Sequence, residues 1–275
     1  MAEAIPGLAV HTITTKPWAV ERCIDEYAAA GVSGITLWRR DFERLPAAAV
    51  GRRVREAGLE CCGLARGGFF PAVDAAGRKA AVEDNLRAID EAAACGAPVL
   101  VLVCGAVPGQ ALEESRKQIA EGISECVGHA RAAGVKLAIE PLHPMYAGDR
   151  SAVVTMGQAN DLCDVLGSPA EVGIAVDVYH TWWDAALEVE IARAGEAGRL
   201  FSYHVCDWRL PTEDLLNDRG LMGEGCIDLA GIRGMMERAG FGGPSEVEIF
   251  SDRRWAQVQE VWFGEVVAAW LRHCG

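Results

Sequence analysis

Four short strings each end an apolar run on a residue able to hold a divalent cation: LAIE at Glu140, IAVD at Asp177, SYH at His204 and SEVE at Glu248. Each lies where a β-strand should stop and a loop begin. Three carboxylates and one imidazole form a hard, oxygen-rich donor set. That set suits Mn²⁺, Mg²⁺ or Co²⁺ better than a structural zinc centre, which favours thiolates. Glu246 competes with Glu248 for the last place, because residues two apart on a strand share a face. Glu248 is nearer the strand end and is assigned to the metal. Glu246 then sits one layer deeper, level with the small residues Ala138, Ala175 and Ser202, as a buried acid that needs a partner. Two histidines follow ligands by three residues, His180 after Asp177 and His143 after Glu140. Either can curl back over the same mouth to orient a substrate or move a proton.

These residues need elements that bring them together. Apolar, β-rich runs occur at 8–14, 34–38, 59–65, 98–104, 136–142, 172–179, 200–206 and 245–250. Amphipathic segments separate them, among them 17–30, 46–57, 74–95, 111–133, 155–166, 227–239 and a final one at 255–272. Glycines at 31, 58, 96, 134 and 240 follow Ala-rich turns and mark helix ends. Near-continuous apolar strands alternating with helices predict a parallel sheet covered by helices. Eight such units predict a single α/β domain, a (β/α)₈ barrel over 1–275. A doubly wound open sheet is the alternative, but it lacks its Gly-rich first turn here. In a barrel the active site lies at the C-terminal strand ends, so the four ligand candidates fall on strands five to eight and can converge. The long stretch Asp207–Cys226 follows strand seven and reads as a loop covering substrate. Trp38, Trp182, Trp183 and Trp208 follow strands two, six and seven, where apolar ring faces could line the mouth and exclude water.

The bulk composition narrows the function. The 275 residues, 51% hydrophobic, suffice for one large core. No apolar stretch is long enough for a membrane span, and MAEAIPGLAVHT lacks a basic leader segment. A cytoplasmic protein is expected. A net charge of −13 with no Lys/Arg cluster argues against nucleic acid and for a small-molecule substrate. The 10 cysteines form no CxxC pair and read as reduced, mostly buried small hydrophobes.

The strings IEPLHP (139–144), DVYH (177–180), HVCDW (204–208), GEG (223–225) followed by Ile227-Asp228, and EVEIF (246–250) resemble the xylose-isomerase-like TIM-barrel superfamily of sugar isomerases and epimerases. The resemblance covers essentially the whole chain. The order Glu, Asp, His, Glu looks like the D-tagatose 3-epimerase type of site. The resemblance implies one divalent cation, Mn²⁺ first with Mg²⁺, Co²⁺ or Zn²⁺ as alternatives, on Glu140, Asp177, His204 and Glu248. It implies that Glu140 and Glu248 double as acid/base groups and that His180 contacts substrate. It also implies an arginine contact after the strand-seven histidine: Arg209 is the first candidate and Arg219 the other. His143 and Trp38 complete the expected substrate contacts. EIF stands where the epimerase subgroup has EPF.

Chemistry beside a carbonyl needs a base, stabilisation of an enediolate and a proton donor. The residue set accommodates epimerisation, aldose–ketose isomerisation or loss of a β-hydroxyl. The leading expectation is an isomerase or epimerase of a keto-sugar or polyol, with a homo-oligomer as a further expectation. A lyase on the same scaffold, such as a keto-inositol dehydratase or a 3-keto-glycoside-cleaving enzyme, is the first alternative, with His143 as its extra base. A non-catalytic sugar-binding subunit is a lesser one. A DNA-repair endonuclease needs more histidines than the 6 present and a basic face. No P-loop-like phosphate cradle is present, which leans toward an unphosphorylated substrate.

Overall fold

A computed structural model describes residues 4–275. Eight parallel strands close into a barrel with helices between them. The strands are β1 Ile5–His11, β2 Val32–Trp38, β3 Glu60–Gly68, β4 Val99–Val103, β5 Lys136–Glu140, β6 Val172–Asp177, β7 Leu200–Val205 and β8 Ser245–Val247. Each pairs with its sequence neighbours, and β1 closes the ring on β8 through Leu8–Ser245, Ala9–Glu246 and Val10–Val247. The expected (β/α)₈ barrel is therefore the observed fold.

Alternation within each strand sorts side chains between the lumen and the helical layer. Outward residues such as Leu100, Leu102, Ile139, Ile174 and Tyr203 join the large core beneath the helices. Lumen positions Val99, Val101, Ala138 and Ala175 form a separate small cluster. The helices start and stop on local chemistry. Asp74, Thr155 and Asp228 accept hydrogen bonds from Gly77, Gln158 and Gly231 amides at the starts of their helices. Gly96 (φ 83°) and Gly134 (φ 70°) take the left-handed conformation that ends the two longest helices.

Four departures from the expected elements stand out, the first two at the site. β1 stops at His11 instead of running to Thr14, and Thr12–Thr15 form a 3₁₀ turn. The turn is held because the Thr14 hydroxyl donates to the Val247 carbonyl (3.0 Å) and accepts from the Ile249 amide (3.1 Å). β6 stops at Asp177, whose carboxylate accepts from the Tyr179 amide at 2.8 Å and turns the chain into a short helical segment, Val178–Thr181. A helix not singled out in the sequence, Leu187–Glu196, fills the gap between β6 and β7. The last helical stretch is broken into Asp252–Trp255 and Gln259–His273. All ten cysteines are free, and most are buried. Among the described residues no helix is long and apolar enough to cross a membrane.

Candidate metal centre and substrate cavity

The barrel brings Glu140, Asp177, His204 and Glu248 together: one donor atom from each lies within 4.8 Å of the others, and all four residues are buried. The register explains the convergence. Asp177 pairs with His204 and His204 with Glu246, so two of the ligand candidates share a layer. Glu248 extends one step past β8, where its amide bonds to the Val205 carbonyl at 3.1 Å. Its carboxylate thus reaches back over the lumen.

His204 shows how the deeper layer serves the ligands. Its Nδ1 faces Glu140 Oε1 at 3.0 Å and its Nε2 faces Ser202 Oγ at 3.2 Å. Ser202 donates its one proton to Glu246 in a short contact. The hydroxyl oxygen must therefore accept from Nε2–H, which leaves Nδ1 aimed at the cluster. Backing of this kind orients an imidazole for a cation. Glu246 also accepts from Thr36 Oγ1 at 2.5 Å and lies 3.6 Å from His11 Nε2. Glu246 is accordingly a structural acid behind the centre, with Ser202, Thr36 and His11 as its partners.

His11 was missed in the sequence. It is fully buried, with Nδ1 3.1 Å from Glu248 Oε1 and its ring centroid 4.5 Å from that of His204. The sequence carried no such mark, because the run 8–14 continues past His11, and only the structure makes His11 the last residue of β1. Arg219 is the second residue whose place only the fold reveals. Its Nη1 donates to Asp177 Oδ2 (2.9 Å) and Glu248 Oε2 (2.6 Å), and its Nη2 lies 3.1 Å from His180 Nε2.

This density of charge moves the protonation equilibria. Burial pushes Asp177 up to about 7 against the pull of Arg219. Burial opposes charge on Glu246 and Glu248 too, but His11 holds Glu246 at about 2, and Arg219 and His11 hold Glu248 well below the usual carboxylate range. Burial disfavours the His204 cation, yet the Glu140 hydrogen bond and the neighbouring carboxylates raise it to about 10. The cluster thus attracts positive charge strongly, and in the described structure Arg219 and the histidines supply it. A hard divalent cation fits this donor set by type, number and burial.

The ligands open into a cavity of ≈ 240 Å³ at the C-terminal mouth, to which Glu140, Glu248, His180, Arg219, Trp38 and Phe250 all contribute walls. His180 lines the cavity, and the His143 amide donates to its Nδ1 at 3.2 Å. A neutral imidazole accepts at one nitrogen only, so that amide and Arg219 compete for the same acceptor capacity. Burial and the Arg219 charge keep this ring neutral by lowering its pKa.

Three expectations need correction. Arg209 is not among the residues lining the cavity and pairs with Asp218 instead, whereas Arg219 lines it. The antiparallel pairing of Asp207–Trp208 with Arg219–Gly220 decides this, since it folds the loop back and turns Arg219 inward. His143 contributes its backbone amide but not its ring, which packs against Trp208 and Trp183 at 5.0 and 5.6 Å. Trp182, Trp183 and Trp208 likewise lie outside the cavity wall, while Trp38 lines it. The loop after β7 does cover the mouth. Leu216 lines the cavity, and the Leu215 carbonyl accepts from Tyr146 (2.6 Å) and Tyr179 (3.0 Å) hydroxyls. GEG is a structural motif: the Asp207 carboxylate accepts from the Gly223 (3.0 Å), Gly225 (2.9 Å) and Ile227 (3.0 Å) amides.

A family model described as the xylose isomerase-like TIM barrel matches residues 24–273, and the chain belongs to that family. Among solved structures, protein SMc04130 from Sinorhizobium meliloti 1021 is 47% identical, with 98% of each chain covered and a TM-score of 0.94. IolI, solved with a binding zinc atom, is 20% identical over 97% of each chain, with a TM-score of 0.83. A D-psicose 3-epimerase solved in the presence of D-fructose is 14% identical over 97% of each chain, with a TM-score of 0.79. At those identities the last two establish a shared fold. No curated protein matches the chain.

Proposed function

We propose that the protein is a divalent-metal-dependent isomerase or epimerase of a keto-sugar or related polyol. The observation that carries this reading is the convergence of Glu140, Asp177, His204 and Glu248 donor atoms within 4.8 Å at the floor of an open cavity. The epimerase among the structural neighbours supports the substrate class, and the zinc-bound IolI supports a divalent ion. We favour Mn²⁺ for the oxygen-rich donor set.

Glu140, Asp177, His204 and Glu248 would hold the cation, which supplies Lewis-acid stabilisation of negative charge on adjacent carbonyl and hydroxyl oxygens. Glu140 from β5 and Glu248 beyond β8 approach the cavity from different strands, so one can take a proton from carbon and the other return one. With a cation held by Asp177 and Glu248, Arg219 would be free to turn the donors it now gives them toward substrate. A substrate oxygen entering between His180 Nε2–H and Arg219 Nη2 accepts from both and ends their competition. Trp38 and Phe250 cover the apolar face and exclude water.

Purified protein should carry about one divalent ion per chain by elemental analysis, and His204→Ala and Glu248→Ala should each lose it. The loaded wild type should exchange substrate C–H protons with D₂O for at least one keto-sugar in a panel, with mass otherwise retained. Absence of any ion, with no uptake of Mn²⁺, Co²⁺ or Mg²⁺, would sink the reading.

A further inference from the structure

Two cationic residues in the cavity take no part in the chemistry above. Arg66, on β3, and Arg150, in the loop after β5, both line it. Among the described residues neither guanidinium has a hydrogen bond or an ion pair, whereas Arg39, Arg193, Arg199, Arg219 and Arg254 all hold carboxylates. Each is held by an aromatic face instead. Arg66 Cζ lies 4.3 Å from the Phe69 ring centroid and Arg150 Cζ 5.5 Å from that of Tyr146. Aromatic contact positions a guanidinium while leaving its in-plane N–H donors free.

Both residues sit on fixed backbone. The Asn85 side chain grips Gly68 through both its amide (2.7 Å) and its carbonyl (2.8 Å). The Phe69 and Phe70 amides bond to the β4 end at Val103 (2.8 Å) and Cys104 (3.1 Å). On the other side Ser151 bridges to Gly105, and the Arg150 amide bonds to the Tyr146 carbonyl at 3.0 Å. Val103 of β4 lines the cavity between them. Burial and then the charge of Arg150 lower the Arg66 pKa, the signature of two cations sharing one space. Holding two unpaired guanidiniums together costs energy unless an anion joins them. The surroundings sharpen the point, because the chain carries 39 acidic against 26 basic residues.

We propose that the substrate carries an oxyanion, a carboxylate or a phosphate, and that Arg66 and Arg150 bind it on the β3–β5 side of the mouth. The cavity is then bipolar, with carboxylates for a cation on the β5–β8 side and guanidiniums for an anion across from them. This inference rests on the keto-sugar reading and refines its substrate class to a sugar acid or sugar phosphate. A phosphate at this position reverses the lean toward an unphosphorylated substrate drawn from the sequence; a carboxylate leaves it standing.

Calorimetric titration of the full chain as purified tests it with D-fructose, D-fructose 6-phosphate and 2-keto-D-gluconate. At least one anion should bind tighter than D-fructose by about tenfold per guanidinium engaged, and the preference should shrink with added salt. Preference for the phosphate or for the carboxylate assigns the source. Arg66→Met and Arg150→Met should each erode the preference while leaving D-fructose affinity unchanged, and Arg66→Lys should restore part of it in a variant that keeps the charge. Equal binding of all three probes, no binding of either anion, or a preference that survives Arg66→Met/Arg150→Met overturns the proposal. Proton exchange on neutral keto-sugars without anion preference would leave the metal chemistry standing and remove this subsite. Anion preference without proton exchange would do the reverse.

Discussion

Single side chains divide the cavity into roles that charge alone would not separate. Arg209 and Arg219 lie ten positions apart on one loop, yet only Arg219 is buried against the cluster. Arg219→Met should raise Mn²⁺ affinity by about an order of magnitude, because the variant frees Asp177 and Glu248 of a competing cation. The same variant should lower kcat/KM on the order of 10²-fold, as losing one positioned donor does. Arg209→Met should leave kcat/KM within about twofold, as for a residue away from the reacting groups. Metal titration and steady-state kinetics on the pair separate the two positions. Equal effects from both would mean that the loop sits differently on the working enzyme.

The element that delivers Arg219 is the ladder of Asp207–Trp208 with Arg219–Gly220, and Asp207 is its anchor. Its buried carboxylate satisfies three amides of the 223–227 turn and the Trp208 amide. A Cβ on Gly225 would meet the Trp208 carbonyl oxygen at 2.2 Å, so the turn is packed too closely for any side chain there. Asp207→Ala strands these donors and should cost about 2–4 kcal/mol in a urea melt. It should also loosen the loop over the mouth, raising KM more than it lowers kcat. A melt unchanged from wild type would show that the turn holds by packing alone.

The whole molecule depends on joining its two ends. Trp255 and Trp262 donate indole N–H groups to the Ile13 and Thr14 carbonyls, each at 2.9 Å. Phe263 stacks on Tyr27 with centroids 4.8 Å apart. Trp262, Phe263, Val266 and Trp270 are all buried, and each such side chain contributes roughly 1.5–3 kcal/mol. Their sum is comparable to the ~5–15 kcal/mol net stability of a domain. A chain ending at residue 258 should therefore fail to give a cooperative thermal transition. A soluble, cooperatively melting truncation would show that the barrel closes without this helix.

The amino-acid sequence by itself determined the barrel and the four ligand candidates, because both rest on local signals. Short, near-continuous apolar runs, Gly stops and a ligand-type residue near a strand end are visible within a few residues of chain. Ala138, Ala175 and Ser202 also placed Glu246 a layer below Glu248, since strand alternation fixes which residues share a level. Tertiary structure decided what depended on distant segments meeting. His11 joins the cluster because β1 closes on β8, 235 residues away by the Thr14–Ile249 contact. Arg219 displaces Arg209 because a two-residue ladder turns the loop inward, and no periodicity encodes so short a pairing. The His143 ring leaves the cavity for Trp208 and Trp183, a packing choice among three aromatic groups from separate loops. Nothing in the sequence singled out Arg66 or Arg150. Only the closed barrel, which sets β3, β4 and β5 side by side, makes them neighbours in one cavity.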